Sequence, residues 1–177
     1  SVLAIALGWL LATCVAAAHQ DGRYGQRSHR RATPLIVYVD TSAVVPILID
    51  EPSTDVCRRV WDDADRRISS RLTYVETAAA LAMAVRLGRI STSQYDDAWS
   101  SFVEIWPDVD IVDLTADLAA SAAEFARSLE LRGYDAVHCA SAAELSEPHL
   151  VAAAGDAHLL AAWRSLGVAV LDTYQNA

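Results

Sequence analysis

LIVYVDTSAVV, residues 35–45, runs five apolar or aromatic residues straight into Asp40, follows with Thr41 and Ser42, and then turns apolar again. An apolar run of strand length without polar alternation is the pattern of a strand covered on both faces within a parallel sheet. Sheets of that kind place their ligand sites in the crevice beyond the carboxyl ends of the strands, and Asp40 stands there. Thr41 and Ser42 supply a polar turn that starts a short helix over 43–49, stopped at Glu51-Pro52. Asp40 is therefore either a helix cap alone or a cap that also belongs to a site.

Outward from this stretch the same alternation continues. Helical patterns at 53–65, 73–87, 91–105, 115–131, 135–145 and 157–166 are interleaved with strand candidates at 67–70, 109–114, 150–154 and 168–171. Ser91 and Gln94 have capping-box spacing, Gly88 ends the helix before them, and Gly133 breaks the long helix capped by Thr115. Strands separated by helices imply βαβ units and a three-layer α/β/α sandwich with a mostly parallel central sheet. With 177 residues, 53% of them hydrophobic, the chain has enough apolar material for one well-buried core and is not a disordered polymer.

Residues 1–34 are a separate segment. Residues 2–18 are almost continuously apolar and end in three alanines, and Arg23, Arg27, Arg30 and Arg31 come after them. The run is at the short limit for a membrane span and lacks the basic start of a secretory signal. It reads as an extension outside the fold, an anchor leaving the following domain on the cytoplasmic side, or a signal. The division expected is thus 1–34 and a domain at 35–177, cytoplasmic, with membrane association only if 1–34 is an anchor.

The net charge is -9, and residues 1–34 contribute about +3, which leaves about -12 for the domain. Binding nucleic acid through counterion release calls for a basic surface. The charge counts against a general nucleic-acid-binding module, so any phosphate contact must be local or bridged by a metal. Arg58, Arg59, Arg66, Arg67, Arg71, Arg86 and Arg89 form the one basic cluster and read first as a solvated face. Trp61, Trp99, Trp106 and Trp163 read as core or dimer-interface residues. Cys14, Cys57 and Cys139 show no zinc or redox spacing and fit reduced thiols.

Three further acids share Asp40's awkward placement. Asp156 follows the strand at 150–154, either as an ordinary turn residue or at the same sheet edge. Glu76 continues a stripe with Ala80, Met83 and Leu87, which predicts that it faces inward. Asp135 opens the helix YDAVHCASA as its N-cap, or joins the others from there; His138 on the same face reads as a buried, hydrogen-bonded histidine rather than a ligand. Two ionised carboxylates about 4 Å apart repel by roughly 4 kcal/mol at an effective dielectric near 20. If the four converge, they need a cation, and an all-oxygen donor set selects Mg²⁺ or Mn²⁺ over zinc.

Taken together, DTSA at 40–43, SRLTYVE at 70–76, LRGYDAVHCASA at 131–142 and GDAHLLAAW at 155–163 resemble the PIN domain, specifically the VapC-like ribonuclease toxins of bacterial toxin–antitoxin pairs. The likeness covers residues 35–173. It implies a metal-dependent endoribonuclease whose catalytic and metal-holding acids fall on Asp40, Glu76, Asp135 and Asp156. It also implies support from Thr41 and Ser42, a homodimer, an RNA substrate, and an antitoxin that blocks the acidic pocket with a basic side chain. One departure stands out, because the family usually has Thr or a similar polar residue before the fourth acid and here Ala154-Gly155 precedes Asp156. That departure keeps open a non-catalytic PIN-like module that binds protein or RNA. A haloacid-dehalogenase phosphatase needs a second Asp where Ser42 stands, a receiver domain needs a Lys that the chain lacks, and neither GxSxG nor a Gly-rich phosphate loop is present.

Overall fold

The computed structural model describes residues 33–145 and 147–174. The segment expected at 1–34 lies outside the described residues, apart from its last two. The elements in chain order are β1 (Ile36–Val39), α1 (Thr41–Leu48), α2 (Thr54–Asp63), β2 (Arg66–Ser70), α3 (Leu72–Arg86), α4 (Thr92–Ile105), a 3-10 turn (Trp106–Asp108), β3 (Asp110–Val112), α5 (Ala116–Ser128), α6 (Gly133–Ala143), β4 (Leu150–Ala154), α7 (Ala157–Ser165) and β5 (Ala169–Asp172). The strands form one sheet in the order β3-β2-β1-β4-β5, with every pairing parallel.

β1 is the central strand, which explains its unbroken apolar sequence. Successive side chains of a strand point to opposite faces. Val37 and Val39 pack with Ala43, Val44, Cys57 and Phe102 on one face, while Ile36 and Tyr38 pack with Leu118, Cys139, Leu160 and Trp163 on the other. The three-layer α/β/α sandwich expected from the sequence is the observed architecture. Ala152, Ala153 and Ala154 of β4 are fully buried beside β1, and their small size lets helices approach both faces closely.

Most element limits differ from expectation by one or two residues, and two differences bear on function. Gly133 does not break the chain but begins α6, with Arg132 as its cap residue. Asp135 is therefore not an N-cap; it lies within the first turn, where the helix dipole favours a negative charge. β3 is three residues long rather than six, since as an edge strand it pairs only with β2.

Of the tryptophans, Trp163 is fully buried and meets the Tyr38 ring edge-on at 5.8 Å, while Trp99 and Trp106 cluster with Tyr74 and Phe102. Truncating a buried aromatic leaves a cavity that close packing cannot refill. Trp163→Ala is expected to destabilise the domain by about 3–5 kcal/mol. Urea unfolding would show this as a lower midpoint at unchanged slope.

Candidate active site

The site lies at the carboxyl edge of the sheet, where β1 and β4 end side by side. Asp40 caps α1: its Oδ2 accepts from the Ser42 amide at 2.9 Å and the Ser42 hydroxyl at 2.5 Å. Its own backbone N–H donates to the Ala153 carbonyl at 3.1 Å, continuing the ladder to β4. One oxygen is thus occupied locally, while Oδ1 faces His138 Nε2 at 3.3 Å. The cap and site readings of Asp40 are compatible because a carboxylate has two oxygens to use.

Glu76 reaches the same point by a route the sequence stripe misjudged. The buried face of α3 carries Thr73, Thr77, Leu81 and Ala84, whereas Met83 and Leu87 of the expected inward stripe are largely exposed. Glu76 sits on the flank of the helix, not on its core face. There its Oε2 accepts from the Thr41 hydroxyl at 2.6 Å and meets His138 Nε2 at 2.8 Å. The true core face was obscured because two of its members are threonines.

His138 is fully buried on α6 with both ring nitrogens engaged, Nδ1 with the Tyr38 hydroxyl at 2.8 Å and Nε2 with Glu76. It is the hydrogen-bonded histidine expected, and it also stands between two of the four acids. The other two are joined by Arg132, whose guanidinium donates to Asp135 Oδ2 at 2.6 Å and to Asp156 Oδ2 at 2.9 Å. Asp156 also caps α7, its Oδ1 accepting from the amides of His158 and Leu159. The corner before it is supported despite the missing polar residue: the Gly155 N–H donates to Ser42 Oγ at 2.7 Å, so one hydroxyl ties the Asp40 turn to the Asp156 turn. All four acids, with Thr41, Ser42, Glu51, Arg132, Tyr134 and Tyr174, line one open cleft of about 290 Å³.

Ionisation follows from this crowding. Burial disfavours charge on the His138 ring, but the carboxylates of Asp40 and Glu76 outweigh it and raise its pKa. Burial raises Glu76 too, and there the hydrogen bond and charge of His138, with the Thr41 hydroxyl, prevail and hold the carboxyl below its ordinary value. At Asp135 burial wins over Arg132, and its pKa is raised. Burial also lifts the Tyr38 hydroxyl well above its ordinary value, so it stays protonated beside the histidine.

The donor set fits a hard divalent ion. Carboxylate oxygens of Asp40 and Glu76 lie within 4.8 Å of one another and of a His138 ring nitrogen, and Asp135 and Asp156 add carboxylate oxygens to the same cleft; the four carboxylates are the oxygen donors, while both His138 nitrogens are taken up by Tyr38 and Glu76. Sequence reasoning did not single out Arg132 or Tyr174. For Arg132 a local signal existed, since it precedes Asp135 by three residues, the spacing at which helical side chains meet. The expected basic cluster is mostly spent elsewhere: Arg66 pairs with Asp110 and Glu147, Arg71 with Asp113 and Arg89 with Glu51, and Arg67 donates to the Trp61 carbonyl.

Comparison with known proteins places this geometry in context. The PIN domain family model matches residues 37–156. Ribonuclease VapC45 and Ribonuclease VapC49 of Mycobacterium tuberculosis are each 40% identical over 124 residues, 70% of this chain and 86% of theirs. Among solved structures, VapC20 of Mycobacterium tuberculosis, described as a sarcin-ricin loop cleaving toxin, superposes with a TM-score of 0.57 at 21% identity, covering 71% of this chain and 94% of that one. DNA-bound VapBC from Salmonella typhimurium superposes with a TM-score of 0.54 at 16% identity, covering 78% of this chain and 98% of that one.

His138 is the positive partner of the Asp40 and Glu76 carboxylates, and this sets the pH dependence of the metal-free protein. A raised His138 pKa contributes stability that is whole below the ordinary value of 6.5 and is lost as pH climbs through the folded value. A lowered Glu76 pKa contributes stability present above its ordinary value of 4.5 and lost as pH falls through the folded value. In chelator, calorimetry should find the highest melting temperature between these limits and a decline on the alkaline side. His138→Gln should flatten that alkaline limb, and Mn²⁺ should restore stability more strongly at higher pH.

Proposed function

This chain belongs to the PIN domain family, and within it we propose that the protein is a divalent-metal-dependent endoribonuclease acting as the toxin of a toxin–antitoxin pair. The observation that carries the reading is the meeting of Asp40, Glu76, Asp135 and Asp156 at one cleft beyond β1 and β4. Four acids from separate elements are costly to hold together unless they have a ligand to hold. The curated relatives named as ribonucleases, similar over most of their length, supply the reaction class.

In this reading Asp40, Glu76, Asp135 and Asp156 hold Mg²⁺ or Mn²⁺. Such an ion supplies a water of lowered pKa and neutralises charge developing on the phosphoryl oxygens. Ser42 fixes the Asp40 carboxylate by two hydrogen bonds, so the free oxygen is aimed before any substrate arrives. Thr41 and His138 both engage Oε2 of Glu76 and hold that carboxylate likewise. Arg132 carries the positive charge closest to Asp135 and Asp156 and restrains both. The Tyr38 hydroxyl, protonated and buried, keeps the histidine ring in register.

The partners follow from the same reading: RNA as substrate, and an antitoxin as binding partner, in keeping with neighbours solved as VapBC. Exposed Val75, Met83 and Leu87, on and just after α3, are consistent with a homodimer surface. Among the described residues no helix is long and apolar enough to cross a membrane, and a cytoplasmic site of action is part of the proposal.

Asp40→Asn and Asp135→Asn test it. Asn keeps the helix-capping capacity of Asp40 while removing its charge, so folding should survive. Cleavage of single-stranded and structured RNA in Mg²⁺ or Mn²⁺ should fall at least about 100-fold in either variant, since even indirect support of a metal ligand is worth 10–100-fold. Chelator should abolish it in the wild type. Undiminished cleavage in both variants, or indifference to chelator, would overturn the assignment.

A further inference from the structure

Tyr174 lines the acidic cleft although it lies beyond the last strand, and the residue is 51% exposed. Its position is built rather than incidental. The Thr173 N–H donates to the Ala154 carbonyl at 3.0 Å, extending the β4–β5 pairing by one residue, and the Tyr174 N–H donates to Asp172 Oδ1 at 3.0 Å. The ring then lies directly against Gly155: a Cβ placed there would stand 2.4 and 2.5 Å from two ring carbons. Only a residue without a side chain leaves room for the ring. The glycine that departs from the family pattern just before Asp156 therefore has a structural consequence, an aromatic face at the rim of the site.

Resting on the ribonuclease reading, we propose that Tyr174, seated on Gly155, is a stacking platform for the RNA base adjoining the scissile phosphodiester. The protein's own charge does not supply local affinity, and a divalent ion in the cleft would engage the scissile phosphate but not the base beside it. The cleft is lined by Asp40, Glu51, Glu76, Asp135 and Asp156, and its one basic residue, Arg132, is already shared between two of them. Away from that phosphate a nucleotide at this acidic wall gains from an attraction that does not depend on charge, and stacking of a base on an aromatic ring provides one. Tyr134, which also lines the cleft, is engaged, with the Arg132 guanidinium 4.8 Å from its ring centroid. Among the described residues no ring or cation stacks on Tyr174.

Steady-state cleavage of a short single-stranded RNA in Mn²⁺ tests this, with melting temperatures confirming that each variant is folded. Tyr174→Ala should raise KM about tenfold, the scale of one lost stacking contact, with kcat within about twofold. Tyr174→Phe should behave as wild type, and Gly155→Ala, which keeps the ring but displaces it, should raise KM as Tyr174→Ala does. An abasic nucleotide beside the cut should erase the difference between wild type and Tyr174→Ala. Equal KM for wild type and Tyr174→Ala overturns the platform while leaving the ribonuclease reading intact, and so does a Phe variant as poor as Ala. Unchanged KM with weakened binding of a basic antitoxin peptide, read by fluorescence anisotropy, reassigns the ring to the protein partner. A wild type that neither binds nor cleaves RNA overturns both readings.

Discussion

Asp40 and Glu76 are both held against one edge of the His138 ring, at 3.3 and 2.8 Å from the same nitrogen. Like charges this close repel, and the ring between them, whose pKa they raise, offsets that repulsion. Each is forced there by the element that carries it: Asp40 by the end of β1, Glu76 by the flank of α3, His138 by α6. Those elements are in turn fixed by the core. Tyr38 shows the connection most directly, since its ring packs edge-on against buried Trp163 while its hydroxyl bonds the histidine. The stability of the sandwich thus holds two acids in contact around the His138 ring, whose pKa they raise, an arrangement in keeping with the proposed cation site.

Asp135 and Asp156 meet the same difficulty and resolve it differently. Their counter-charge is Arg132, largely exposed where the His138 ring is fully buried. The cleft therefore has a buried half, where His138 and the Thr41 and Ser42 hydroxyls hold the acids, and a more exposed half held by one long side chain. Ser42 couples the two, donating to Asp40 and accepting from Gly155 next to Asp156. A hydroxyl that serves both turns sets the distance between the first and fourth acids without contributing any charge.

Asp40 and Asp156 were legible from sequence because the end of a buried strand is a position that can be read from an apolar run, and the sheet does the rest. β4 was legible for the same reason, its limits matching the expected 150–154. Glu76 was found for an inexact reason, since alanines around α3 blur its periodicity and Thr73 and Thr77 disguise the core face. Asp135 is legible as a site acid, but its alternative reading as an N-cap fails because Gly133, taken as a break, begins the helix; tertiary packing of α6 against α5 overrides the local preference. The Tyr38–His138 and His138–Glu76 contacts join residues 100 and 62 positions apart, and no spacing rule on one chain reaches that far.

An acidic protein acting on RNA is a paradox only if affinity and chemistry must come from the same groups. On the surface of this domain the arginines of the expected basic cluster are largely neutralised by nearby acids or turned to carbonyl oxygens, so long-range attraction of a polyanion is weak and is further screened by salt. In the proposed reading the acids of the cleft serve to hold a cation. Recognition then falls to contacts that survive in a negative field, such as the aromatic face at the rim. In this light the glycine before Asp156 exchanges a polar support, which Ser42 replaces, for the close approach of an aromatic ring.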